Sequence, residues 1–173
     1  ANQKREIQIG DLSDIKQELD LWRGVLTSRF RLEGEPVTVR TSVHPRLDLL
    51  AVSVESRLID EGRLAVRFGF PYGSPSMPAA DWNQPASHQT EVVSNNNGRA
   101  ELRLALDGAK YFVAIEWEGP AQLVALEAHW LFLSKRRGSG GHLGFVTGFS
   151  PELLAASLPS VGSTITASAN HWS

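Results

Sequence analysis

The chain has 173 residues, 42% of them hydrophobic and 21% charged, with a formal net charge of −2 and a sequence pI near 6.2. That suffices for one domain with its own core, and it argues against nucleic acid as a partner, because no basic field gathers phosphates. There is no cysteine, so disulfides and thiolate chemistry are excluded. No apolar run approaches the roughly 20 residues of a membrane span, and the opening Ala-Asn-Gln-Lys-Arg-Glu is not the apolar region of a signal peptide. A soluble chain of cytoplasmic or periplasmic origin is expected, the compartment being undetermined.

Taken in chain order, turn signals arrive at Gly10-Asp11, Gly24, Glu33-Gly34-Glu35-Pro36, His44-Pro45, Glu61-Gly62, Asn95-Asn96-Asn97-Gly98, Asp107-Gly108 and Glu118-Gly119-Pro120. Short runs with a period of two lie between them. Val37, Val39 and Thr41 share one side, as do Val52 and Val54, then Leu64, Val66, Phe68 and Phe70, then Leu102, Leu104 and Leu106. Such runs are half-buried antiparallel strands. Asn97-Gly98 suits a type I′ hairpin, since both residues tolerate positive φ. The pattern predicts an all-β fold, a two-sheet antiparallel sandwich of distorted or super-sandwich type.

Four further segments are predicted. Pro71 to Pro85 carries four prolines with Gly73, Ser74 and Ser76, so it is a long ordered excursion and not a strand. Arg136 to Gly141 reads as the turn of a hairpin between Leu131–Lys135 and His142–Phe149. Ser150-Pro151-Glu152 reads as the capped start of a short helix over residues 151–157. From Ser160 a terminal helix is expected, with Val161, Ile165, Ala169 and Trp172 on one face, Ser160 as N-cap and no C-cap. It looks cut. The predicted organisation is a β-sandwich domain over residues 1–158 and, over 159–173, the start of a helical linker to a domain that follows.

No compact catalytic motif is present. Gly138-Ser139-Gly140-Gly141 lacks the Lys-Ser/Thr of a phosphate loop, there is no Gly-x-Ser-x-Gly elbow, and His44, His88, His129, His142 and His171 are scattered. Neither a catalytic residue, a metal site nor a cofactor is therefore expected. Asp81, Glu91 and Glu116 are the carboxylates in unusual settings, though alternation makes Glu116 part of a solvated face and lets Asp81 cap a local turn. Trp117 and Trp130 lie in strand-like runs and read as core. Tyr72 and Trp82 instead share the polar excursion with Asn83 and His88. Such an aromatic face rimmed by amides binds a sugar, docks a neighbouring domain, or packs on its own sheet. All three readings stay open, and Trp172 joins Tyr72, Trp82, Asn83 and His88 as a candidate carbohydrate or domain-interface residue.

The stretches Leu19–Phe30 running on through Val37–Thr41 to His44-Pro45, Gly62–Tyr72, and Phe149-Ser150-Pro151 with Leu158-Pro159-Ser160 and His171-Trp172 carry a family likeness. Together they resemble the N-terminal β-sandwich region of bacterial six-hairpin glycosidase-like proteins. The resemblance implies a sandwich joined through a helical linker to an (α/α) catalytic barrel that holds the carboxylates. It implies a non-catalytic domain of a glycoside hydrolase whose partner is that C-terminal barrel of the same polypeptide and whose ligand, if it has one, is an oligosaccharide. A stand-alone carbohydrate-binding module is the alternative, and it requires several aromatics on one exposed surface. A self-contained epimerase or lyase is the third reading, and it requires a sheet face lined with His and Glu.

Overall fold

A computed structural model describes residues 5–172. The outermost residues of the two predicted segments, 1–4 and 173, lie outside the described residues. The elements are β1 (Leu12–Asp20), β2 (Val25–Leu32), β3 (Glu35–Val43), β4 (Leu49–Glu55), a one-turn α1 (Arg57–Asp60), β5 (Val66–Gly69), β6 (Tyr72–Gly73), β7 (Ala80–Asp81), β8 (His88–Asn96), β9 (Arg99–Leu106), β10 (Ala109–Trp117), β11 (Ala121–Glu127), β12 (Trp130–Lys135), β13 (His142–Ser150) and α2 (Val161–Trp172). They form an all-β fold. An eight-stranded sheet of order β1-β2-β3-β4-β13-β10-β9-β8 faces a three-stranded sheet of order β11-β12-β5, and every pairing is antiparallel.

The period-two runs do what they promise. Val37, Val54, Leu102, Leu104, Val113, Ile115, Leu143 and Phe145 of the large sheet bury against Leu123, Leu131 and Leu133 of the small one. Phe68 meets Phe145 edge to face across this layer, 5.1 Å between centroids. The β8–β9 hairpin turns at Asn97 and Gly98, both with positive φ (49° and 81°), as its two-residue loop requires.

The second face of the large sheet is covered as well, and here the expectations change. Residues 151–157 form no helix. Ser150 Oγ does accept the Glu152 N–H at 3.1 Å, but the chain then runs as a strap without regular structure. Two interactions hold it open. Leu154 and Leu158 lie over Gly148, where a Cβ would stand 3.3 Å and 3.1 Å from their methyl groups. Arg99 donates to the Leu154 and Ala156 carbonyls while pairing with Glu101 and Glu116. Glu116 in turn accepts from Ser157 Oγ (3.1 Å) and the Leu158 N–H (3.0 Å). Glu116 is thus a half-buried clamp and not the solvated group that alternation suggests. Those carbonyls and that amide are the groups an α-helix would have used internally.

The second correction concerns Leu131–Lys135 and His142–Phe149, which do not form a hairpin. β12 belongs to the small sheet and β13 to the large one, so residues 136–141 cross between layers. Equal alternation on both sides of a glycine-rich turn cannot tell a hairpin from a crossover. The third concerns the terminal helix. Ser160 caps it as expected, accepting the Ser163 N–H at 3.1 Å. Its buried face, however, is Val161, Thr164 and Ser168, and Trp172 stays 55% exposed. Small side chains let the helix lie close to Leu49, Ala51 and Val146.

Arg99→Ala should cost about 2–3 kcal/mol, somewhat below the figure for breaking a fully buried ion pair, because it strands Glu116 and Glu101 and frees the strap. Urea denaturation measures the loss, and limited proteolysis should show new cleavage within residues 151–158.

Candidate functional site

The Pro71–Ser87 excursion is fastened at four points. Tyr72 pairs with Asp81 across the two-residue β6–β7 ladder. Its hydroxyl donates to the Asp107 carboxylate, 2.8 Å from each oxygen. His88 donates from Nε2 to the Phe70 carbonyl at 2.7 Å, and His129 does the same to the Pro85 carbonyl at 2.8 Å. A carbonyl only accepts, so both imidazoles carry a proton on Nε2. The two rings stack at 3.7 Å, and Tyr72 is tilted 6.0 Å from His88. The excursion therefore begins and ends on histidines that touch one another. His129 holds this place with φ of +66° in the β11–β12 turn.

Hydrogen bonds set the local titrations. The Asn83 amide, and after it the Gln84 side chain, hold the Asp81 carboxyl below its usual range. The Asp107 carboxylate pushes the Tyr72 phenol upward, since the phenol must donate to it. Burial pushes the Tyr111 phenol upward too.

Of the residues named from sequence, Tyr72 and His88 come together here, with His88 buried and not part of a polar rim. Its Nδ1 is buried and has no partner among the described residues. Asn83 is exposed and contributes its backbone N–H to Asp81. Trp82 stacks on Trp130 at 4.5 Å with 11° between planes and is 49% exposed. Trp172 lies elsewhere, at the end of α2 against Gly24, where a Cβ would stand 3.0 Å from its Cδ1. Leu21 and Trp22 are exposed on that same turn.

Sequence reasoning missed Trp130. Alternation buries Leu131 and Leu133 and turns Trp130 and Phe132 to the outer side of the small sheet, so Trp130 is not core. The signal lay in its cross-strand partner Gly69, where a Cβ would fall 2.1 Å from the indole. The missing side chain is the space in which Trp130 lies. Arg67 sits 3.9 Å from the Trp130 ring centre.

The nominated carboxylates are all engaged. Asp81 accepts from Asn83 and Gln84, Glu91 pairs with Arg103, and Glu116 clamps the strap. On the outer side of the large sheet, Ser53 Oγ lies 3.2 Å from His142 Nε2 and Glu118 lies over Gly144, while Glu55 is bound to Arg40 at 2.7 Å. Among the described residues, no three His, Asp or Glu side chains converge as a metal site, and no helix is long and apolar enough to cross a membrane.

No family model matches the sequence, and no curated protein matches it. The fold is similar to that of a solved structure from the human microbiome, provisionally assigned as a kojibiose phosphorylase, with a TM-score of 0.53 and 11% identity. The match covers 93% of this chain and 24% of that one, so the chain spans about a quarter of the neighbour's length. The likeness is one of fold.

Two outcomes follow from this geometry. Trp82→Ala should cost about 1 kcal/mol, the worth of an aromatic pair at a half-exposed position, and should shift the tryptophan emission as Trp130 is uncovered. The raised Tyr72 phenol stabilises the fold fully below the unfolded-state value of about 10, and this contribution is lost as pH rises through the higher folded value. The phenolate absorbance of Tyr72 and Tyr111 should therefore emerge late in an alkaline titration, and Asp107→Asn should bring Tyr72 back toward the ordinary range, burial and the Asp81 charge still acting on it.

Proposed function

We propose that this chain is a non-catalytic β-sandwich domain of a carbohydrate-active enzyme of the glycoside hydrolase kind. It braces a helical-barrel catalytic domain of the same polypeptide and shapes the sugar cleft. Residues 1–158 are the sandwich, and 159–173 are the start of the linker. The observation that carries this reading is the extent of the fold match, nearly all of this chain against a quarter of a sugar-enzyme neighbour. The commitment of Asp81, Glu91 and Glu116 to structural hydrogen bonds supports it, because none is left poised as an acid–base pair. Exposed Leu21, Trp22 and Trp172 supply an apolar surface on which a following domain docks. The Tyr72–His88 excursion is the edge that faces the sugar.

A stand-alone carbohydrate-binding module is the second reading. It is favoured by Trp82, Trp130 and Phe132, which gather at the outer face of the small sheet.

The isolated chain should turn over no aryl glycoside or oligosaccharide, with or without inorganic phosphate. Turnover that disappears on Asp81→Asn, with the fold intact by circular dichroism, would overturn the non-catalytic reading.

A further inference from the structure

A groove of about 660 Å³ runs along the β5 edge of the small sheet, between it and the β2–β3 turn; no residue of the Tyr72–His88 excursion lines it, and Trp82 of that excursion backs its Trp130. Its floor is apolar, reaching Leu32, Leu58 and Leu64 at the edge of the inter-sheet core. Trp130 and Phe132 form one wall, and Phe132 is the cross-strand partner of Arg67. Trp82 stacked on one face of Trp130 and Arg67 over the other hold it in place, so Trp130 contributes its edge to a wall that exists before any ligand arrives.

The rim decides the ligand's charge. Three arginines and three glutamates line the groove, so it carries no net charge. Each arginine is already paired: Arg67 with Glu6, Arg63 with Glu33 and Glu61, and Arg5 with Asp11. A phosphate or uronate would have to compete with those carboxylates for the same guanidinium groups. A neutral polyhydroxylated ligand would not, since a hydroxyl both donates to a carboxylate and accepts from a guanidinium. An apolar floor, one wall made of Phe132 and the Trp130 edge, and a rim of alternating donors and acceptors match a pyranose, whose apolar face lies on the floor and whose hydroxyl fringe meets the rim. The volume falls within the range of small-ligand sites.

We propose that this groove, walled by Trp130 and Phe132 and rimmed by Arg63, Arg67, Glu33 and Glu127, binds a neutral oligosaccharide. The proposal rests on the carbohydrate-binding reading given above and adds to it the place and the charge class of the sugar.

The test is a ¹⁵N-resolved NMR titration of the whole chain with neutral gluco-, galacto- and manno-configured di- and trisaccharides. Trigalacturonate and inorganic phosphate are run as charged contrasts. At least one neutral saccharide should shift the amides of residues 65–67 and 130–132 and the Trp130 indole N–H. Arg63→Ala and Arg67→Ala should each weaken that binding about tenfold or more, the loss expected for hydrogen bonds to a charged group. Arg63→Ala leaves Trp130 untouched, so it reads the rim even where Arg67→Ala perturbs the wall. Shifts confined to the Tyr72–His88 excursion would overturn the groove while leaving carbohydrate binding standing. Absence of any shift with the neutral panel would end both. Tighter binding of phosphate or trigalacturonate would overturn the neutral assignment.

Discussion

The strands β4 and β13 lie at the middle of the large sheet and are buried on both faces, and the rest of the molecule is arranged to make that so. One face receives the small sheet through Leu131, Leu133 and Phe68. The other receives α2 and the strap through Val161, Leu158 and Leu154. A sheet covered on only one side would leave Ala51 and Val146 in water. The glycines of β13 serve the same end: Gly148 makes room for two leucines and Gly144 lies beneath the Glu118 carboxylate.

The electrostatics follow a similar division. Where charge is drawn toward the interior it is neutralised locally, as in the Arg99, Glu101 and Glu116 clamp, whose three side chains are at most 21% exposed. Where it stays on the surface, as in the groove along β5, arginines and glutamates alternate in exposed pairs that contribute little to stability. The first arrangement holds a chain segment in place. The second leaves hydrogen-bonding groups facing a concave surface at small energetic cost, the condition for recognising something uncharged and polar.

The small sheet and the excursion carry most of the features that the proposed role calls on. The small sheet is joined to the large one through the shared core, and the His88–His129 stack and the Tyr72–Asp107 hydrogen bond fasten the excursion to both. Aromatic side chains on the outside of this layer are costly in isolation. Trp82 and Trp130 reduce that cost by covering one another, and Trp82 stays 49% exposed on its free side.

Much of the fold was legible in the sequence because antiparallel strands write their buried side at every second residue. Val37, Val54, Leu102 and Leu104 all point where alternation sent them, and Asn97-Gly98 turns as its φ angles demand. Ser160 also announced its helix by capping chemistry that is local to a few residues. What the sequence could not determine depends on partners distant in the chain. Residues 151–157 have a helix start but are held out of a helix by Arg99 and Glu116, some fifty and forty residues away. The crossover at residues 136–141 looks like a hairpin until the two strands are seen to pair with different sheets. Trp130 looks like core until the absent side chain of Gly69 shows which face it occupies. Local periodicity and caps determined the strands and the last helix. Only tertiary structure decided layer membership, the strap and the groove, because each is set by a contact between residues that the sequence holds far apart.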